Sequence, residues 1–292
     1  MIILKIKNNA GPGNQMFMYA KAYSLAKKYG HKILIISEIS SFSVRQNILQ
    51  KLNLDKNVVI GFIRLDWIKS PYVFRLVRKV IFDVSLKMPF MHQITQKASE
   101  SRIYFDDYYV GMDKKIYVID GYWECHEYFD NIRNDLIKQF KPNYKLDKCV
   151  EKMLYNVKLE NSVAIHIRKG DFKQFNRLIN DDYYKSAALK LRTEIKNPSF
   201  YILSEDDEIC EGWKKEFGAK RICFFTPTKY IDEWYVMSQC KYYIIANSTY
   251  SWWASYLSDY VEKKIIIPSL EEYLEAEKDN TEEMYENYFC KD

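Results

Sequence analysis

Hydrophobic residues recur along this chain with two different periods, and the switches between them outline the fold. Residues 2–6 form a short apolar run with strand character, residues 16–29 carry apolar positions at helical spacing up to Gly30, and residues 32–36 are apolar again. A strand, a glycine-rich turn, a helix and a second strand make a βαβ unit, whose strands pair in parallel. From about residue 40 to 113 the pattern is weak. The exception is residues 73–82, where Val73, Phe74, Val77, Val80 and Ile81 fall at helical spacing beside Arg75, Arg78 and Lys79. That segment reads as an amphipathic basic helix. It is either an ordinary surface helix or an attachment to an anionic membrane surface.

Residues 116–120 read as a strand and 127–140 as a helix that stops before Pro142. Residues 141–145 form a polar linker, which predicts two domains, 1–145 and 146–292. In the second, apolar runs at 162–168, 200–203, 221–225, 242–246 and 264–268 alternate with helical segments starting near Asp181, Asp206, Tyr230 and Ser248. Five strands separated by helices predict a doubly wound parallel α/β sheet, with ligands bound outside the carboxyl ends of its strands.

Composition narrows the function classes. With 292 residues, 48% hydrophobic, 28% charged and only 9 Gly and 7 Pro, the chain is a folded globular protein. A net charge of +5 is too mild for a dedicated nucleic-acid binder and suits a polyanionic small molecule. The six cysteines, at 125, 149, 210, 223, 240 and 290, show no Cys-x-x-Cys pair, so buried reduced thiols are expected rather than a zinc or disulfide framework. The opening run lacks the layout of a secretory signal and no apolar run reaches the roughly 18 residues of a membrane span, which predicts a cytoplasmic protein.

Four clusters carry chemistry. The first, Gly11-Pro12-Gly13-Asn14-Gln15-Met16, follows the first strand and half-matches the dinucleotide fingerprint, with Glu38 at the end of the next strand as a ribose-binding acid. That makes a nicotinamide-dependent oxidoreductase the main rival, although Met16 stands where the third glycine is needed. A plain turn explains the glycines but not Asn14 and Gln15, whose amides suit a sugar or phosphate. In the second cluster, residues 162–171, period two puts Val163, Ile165 and Ile167 on one face and Ala164, His166 and Arg168 on the other. Arg168 offers a planar fork for phosphate oxygens, and Asp171 is spaced to orient either Arg168 or His166.

The third cluster, Asn247-Ser248-Thr249, lies between a strand and a helix, whose free first-turn N–H groups attract phosphate. Trp252 and Trp253 after it read as core packing in preference to a sugar platform. In the fourth, Ser204-Glu205-Asp206-Asp207, the carboxylates either meet a nucleobase or ribose or cap the next helix. No Asp-x-Asp pair is present, so a metal-binding carboxylate cluster for a diphosphate is not expected. A third kind of reading, a non-catalytic glycan-binding protein, rests on the 25 tyrosines alone.

Four segments together resemble, in order and spacing, the α-1,2-fucosyltransferases of glycosyltransferase family 11. They are residues 11–20, Gly121-Tyr122-Trp123-Glu124, residues 166–172 and residues 247–254. The resemblance implies a GT-B architecture of two facing Rossmann-like domains with parallel sheets. The first would bind the acceptor, a galactose-containing oligosaccharide or lipid-linked glycan. The second would bind GDP-β-L-fucose, and fucose would pass with inversion to the 2-hydroxyl of a terminal β-galactoside. It further implies no cofactor and no required metal.

By the same resemblance Arg168 meets the donor pyrophosphate beside His166 and Asp171, Ser248 and Thr249 lie near the phosphates after Asn247, and Asp206 points toward the guanosine. Gly13 and Asn14 sit by the fucose and β-phosphate. Arg168, Asn14, His166 and Asp171 are thus the expected catalytic residues, with His166, Asp171 and Glu124 as alternative general bases. The chain departs from the family pattern in having Ala10 before its glycines, Lys169 after Arg168, and Ala254-Ser255-Tyr256 after the tryptophans.

Overall fold

The computed structural model describes residues 1–7, 9–39, 46–84, 88–96, 116–169, 177–277 and 282–289. The chain divides into two compact units, with Met1–Phe140 in the first and Lys141–Phe289 in the second.

In the first unit, β1 (Ile2–Lys5), β2 (Ile33–Ile39), β3 (Val58–Arg64), β4 (Met91–Thr95) and β5 (Ile116–Asp120) form one sheet in the order β3-β2-β1-β5-β4. Every pairing is parallel, and β1 lies in the centre with Leu4 opposite both Ile35 and Ile119. The helix α1 (Pro12–Tyr29) connects β1 to β2 and ends on Gly30, whose left-handed φ of 68° no β-carbon obstructs. The sequence pattern placed this helix from residue 16. It starts four residues earlier because Pro12 occupies the first helical position, where its fixed φ fits and its missing N–H costs nothing. Gly11 and Gly13 therefore belong to a helix start, and neither has the positive φ that a turn would have required of it.

Helix α2 (Pro71–Arg78) runs on into a π-helical turn, Lys79–Val84, in place of one continuous helix over 73–82. The predicted helix 127–140 is likewise broken, into 3₁₀ turns at His126–Tyr128 and Asp130–Ile132 and then α3 (Arg133–Gln139).

The second unit opens with α4 (Lys148–Leu159), capped by the Asp147 carboxylate, and continues with β6 (Asn161–Ile167), α5 (Asp181–Glu194), β7 (Pro198–Ser204) and α6 (Asp207–Phe217). Next come β8 (Lys220–Arg221), α7 (Lys229–Ser238), β9 (Tyr242–Ile244), α8 (Thr249–Leu257), β10 (Ile265–Ile266), α9 (Leu270–Ala276) and α10 (Glu282–Phe289). Its sheet, in the order β10-β9-β6-β7-β8, is parallel throughout. A strand lies at or beside each of the five predicted runs, although the one expected at 221–225 is only Lys220–Arg221 and the one at 264–268 only Ile265–Ile266. On β6 the alternation holds: Val163, Ile165 and Ile167 enter one core cluster with Tyr184, Leu191, Phe200 and Trp213, while His166 faces the other way.

Five cysteines are free among the described residues. Cys125, Cys210 and Cys240 are buried, whereas Cys149 is exposed and Cys223 half-buried, so burial does not extend to every thiol.

Candidate active site

β6 is the central strand of the second sheet, and its carboxyl end delivers the cationic residues. His166 is buried and lies opposite Leu203 of β7; Arg168, just past the strand, reaches Glu205 with its Nη1 3.5 Å from Oε1. Lys169 is held against Asp181 at 2.6 Å, at the first turn of α5. Gly170 and Asp171 lie outside the described residues.

The neighbouring strand β9 feeds Asn247 and Ser248 into α8. Ser248 is the N-cap, but its hydroxyl makes no capping bond, so no side chain occupies the first-turn N–H groups from that position. Tyr250, in the first turn of α8, brings its ring 5.6 Å from that of His166 and donates its hydroxyl to the Tyr230 carbonyl at 2.5 Å. The Arg168 charge acts on both: it lowers the pKa of His166 and opposes the rise of that of Tyr250. Arg168, His166 and the N-terminus of α8 thus share one electrostatic environment at the sheet's carboxyl edge.

Burial, and then the Arg168 charge, push the His166 imidazolium down to about 3. Its Nδ1 is buried with no hydrogen-bond partner among the described residues. A ring this weakly basic stays neutral near pH 7 and is poorly suited to the base role that the sequence offered it.

Asn247 does not project into open space. Its Nδ2 donates to Glu277 Oε1 at 3.0 Å and to the Arg177 carbonyl at 3.2 Å, and Arg177 Nε lies 3.3 Å from the other Glu277 oxygen. The buried Glu277 carboxylate, at the end of α9, therefore ties the chain before α8 to the chain before α5. Sequence reading did not find it, since no local signal links residues 30 apart. Asp206 is the N-cap of α6, where its Oδ1 accepts from the Glu208 and Ile209 N–H groups at 3.2 and 3.3 Å; this is the capping alternative for that carboxylate. Trp252 and Trp253 are buried edge to face, as core packing requires.

In the first unit, Asn14 is half-buried in the first turn of α1, beside Gly13. Gln15 does not face a ligand: it is buried, donates to the Ala10 and Gln46 carbonyls and accepts from the Ile48 N–H, each at 2.9 Å. At the end of β5, Gly121 is packed so closely that a Cβ would come within 2.6 Å of Gln96 Cβ. The Gln96 side-chain oxygen accepts from the Tyr122 and Trp123 N–H groups at 3.0 and 2.7 Å, holding Trp123 at a left-handed φ of 58°. Glu124 follows, buried. Glu38, the expected ribose acid of the oxidoreductase reading, is instead bonded to Arg78 Nε at 2.9 Å. Among the described residues no cluster of three or more His, Cys, Asp or Glu side chains is arranged to hold a metal ion, and no helix is long and apolar enough to cross a membrane.

Two parallel-sheet α/β units, with cations and a helix N-terminus at the carboxyl edge of the second, are the parts from which the GT-B class of glycosyltransferases is built. The family model for glycosyl transferase family 11 matches residues 78–287, and the chain belongs to that family. It is 28% identical over 272 residues to an alpha-1,2-colitosyltransferase of Escherichia coli, covering 89% of each chain. It is also 22% identical over 272 residues to galactoside alpha-(1,2)-fucosyltransferase 2 of Pongo pygmaeus, covering 84% of this chain and 66% of that one. In fold it is similar to the alpha-1,6-fucosyltransferase NodZ soaked with GDP-fucose, with a TM-score of 0.53 at 13% identity over 93% of this chain and 96% of that one. Family membership sets aside the oxidoreductase and non-catalytic readings.

Proposed function

We propose that this glycosyltransferase moves L-fucose from GDP-β-L-fucose to the 2-hydroxyl of a terminal β-galactoside, with inversion at the anomeric carbon. The observation that carries the reading is the convergence of Arg168, His166 and the N-terminus of α8 at the carboxyl end of β6. It is the place where a parallel sheet receives a nucleotide. The galactoside and the 1,2 linkage are supported by the named relatives.

In this reading the second unit binds the donor and the first the acceptor. As the bond from the anomeric carbon to the β-phosphate oxygen breaks, positive charge develops on the sugar ring and negative charge on the departing phosphate. Arg168, Ser248, Thr249 and the N–H groups of α8 stabilise that negative charge selectively in the transition state. Asp206, at the carboxyl end of β7 where its Oδ1 caps α6, is the group of the second unit nearest in kind to a ribose or base contact. The acceptor 2-hydroxyl attacks from the opposite face, forming the new bond to the anomeric carbon. Its proton goes to a carboxylate on the acceptor's side of the sugar, Asp171 or Glu124, since neutral His166 is too weak a base. In this reading the negative charge on the phosphates is balanced by protein cations and N–H groups, so it requires no metal ion.

The colitosyltransferase relative favours a second reading, in which the donor carries colitose in place of fucose. Mass spectrometry after incubation with each donor and a panel of terminal β-galactosides decides between them. Fucosylated galactoside supports the proposal; colitosylated product alone selects the second donor; intact donor in both cases refutes the two together.

A further inference from the structure

We propose that α2 and the segment leading into it form a docking surface for an anionic phospholipid bilayer. The helix already has a core-facing side, where Phe74 packs in a cluster with Leu65 and Ile68 and is joined there by Val77 and Ile81. Arg78 fastens the same element to β2 through Glu38. The fold therefore has no need of a second apolar side, yet one is present. Tyr72, Val73 and Leu76 are 77%, 43% and 54% exposed, and Trp67 is 68% exposed with its indole N–H held by the Arg64 carbonyl at 3.1 Å.

At about 100° per residue, Tyr72, Leu76 and Val73 fall within one strip of the helix surface, and Arg75 continues that surface on the Tyr72 side. Lys79 lies one turn beyond Arg75; both are exposed. Between Asp66, which is paired with Arg64, and Asp83 the chain carries Lys69, Arg75, Arg78 and Lys79 and no acidic residue. An apolar strip with aromatic side chains and a cationic border matches a bilayer's interface, where rings enter the headgroup region and cations meet lipid phosphates. A second copy of this chain fits less well, since face-to-face pairing would oppose Arg75 and Lys79 to their own kind. A glycan acceptor would not account for the cations. The surface is independent of the donor site, so its test stands apart from the transfer reaction.

The test is co-flotation of the full chain with phosphatidylcholine vesicles, with and without phosphatidylglycerol, together with tryptophan emission. We expect binding to the phosphatidylglycerol vesicles that weakens with salt, and a blue shift that Trp67→Phe diminishes. The double variant Arg75→Gln, Lys79→Gln loses roughly tenfold or more of this affinity, since each cation near an anionic surface adds to the attraction. Tyr72→Ser with Leu76→Ser weakens binding comparably. An unchanged thermal transition in each variant shows that the fold is kept; where one shifts, the wild-type salt and lipid dependence decides. No flotation with either lipid, equal flotation with both, or a dimer in solution that the Tyr72 and Leu76 changes dissociate overturns the proposal.

Discussion

The side-chain amide of Asn247 and the carboxylate of Glu277 are joined at 3.0 Å, and through Arg177 this pair braces the loop that starts α8. A buried carboxylate with two donors is costly to remove, because the donors are left unsatisfied. Glu277→Ala should lower stability by about 1–3 kcal/mol and raise the KM for donor more than it lowers kcat. Glu277→Gln, which keeps an acceptor for Asn247, should recover part of both. Denaturant titration and steady-state kinetics of the two variants check this; identical behaviour of the Ala and Gln variants would remove Glu277 from a positioning role.

Gly121→Ala forces a Cβ to within 2.6 Å of Gln96 Cβ and 2.7 Å of Trp123 Nε1. The turn that carries Tyr122, Trp123 and Glu124 must then shift. We expect a loss of about 1–3 kcal/mol, read from the denaturation midpoint. A neutral effect would mean that this turn is more pliable than its packing indicates.

His166 ties stability to pH. Its folded pKa, about 3, lies below the ordinary 6.5, so the unfolded chain takes up this proton first as pH falls. The neutral ring's contribution is complete above pH 6.5 and declines below it, by up to about 1.4 kcal/mol per pH unit, until both states are protonated near 3. Between pH 6.5 and 5, wild type should lose stability faster than His166→Asn. Parallel slopes in urea titrations at several pH values would contradict the burial of a neutral imidazole.

The sequence made legible what local rules control. Period two on β6 placed His166 opposite Val163, Ile165 and Ile167, because one face had to enter the core. Pro12 was a helix-start signal in plain sight, and reading the glycines as a turn displaced the start of α1. β3 and β4 went unseen for different reasons. Val58–Arg64 is an apolar run broken by Gly61 whose turn signal, Asp55 to Asn57, goes unnoticed in a weakly patterned region, and Met91–Thr95 is a strand chiefly through its pairing with β5. The roles of Gln15 and Glu277 depend on partners some thirty residues away, Gln46 and Asn247, which only the folded chain supplies.

If protein groups alone carry the positive charge, transfer should proceed undiminished in excess EDTA, and added Mg²⁺ or Mn²⁺ should change the initial rate less than about twofold. Loss of more than about tenfold on chelation, restored by one divalent ion, would assign part of the work to a metal.

The most direct test compares wild type with Arg168→Ala in the transfer of fucose from GDP-fucose to a terminal β-galactoside. Arg168 lies at the rim of the sheet, so the variant should keep the wild-type thermal transition while turnover falls on the order of 10²-fold or more. Wild-type turnover in a purified, folded Arg168→Ala protein would contradict the account.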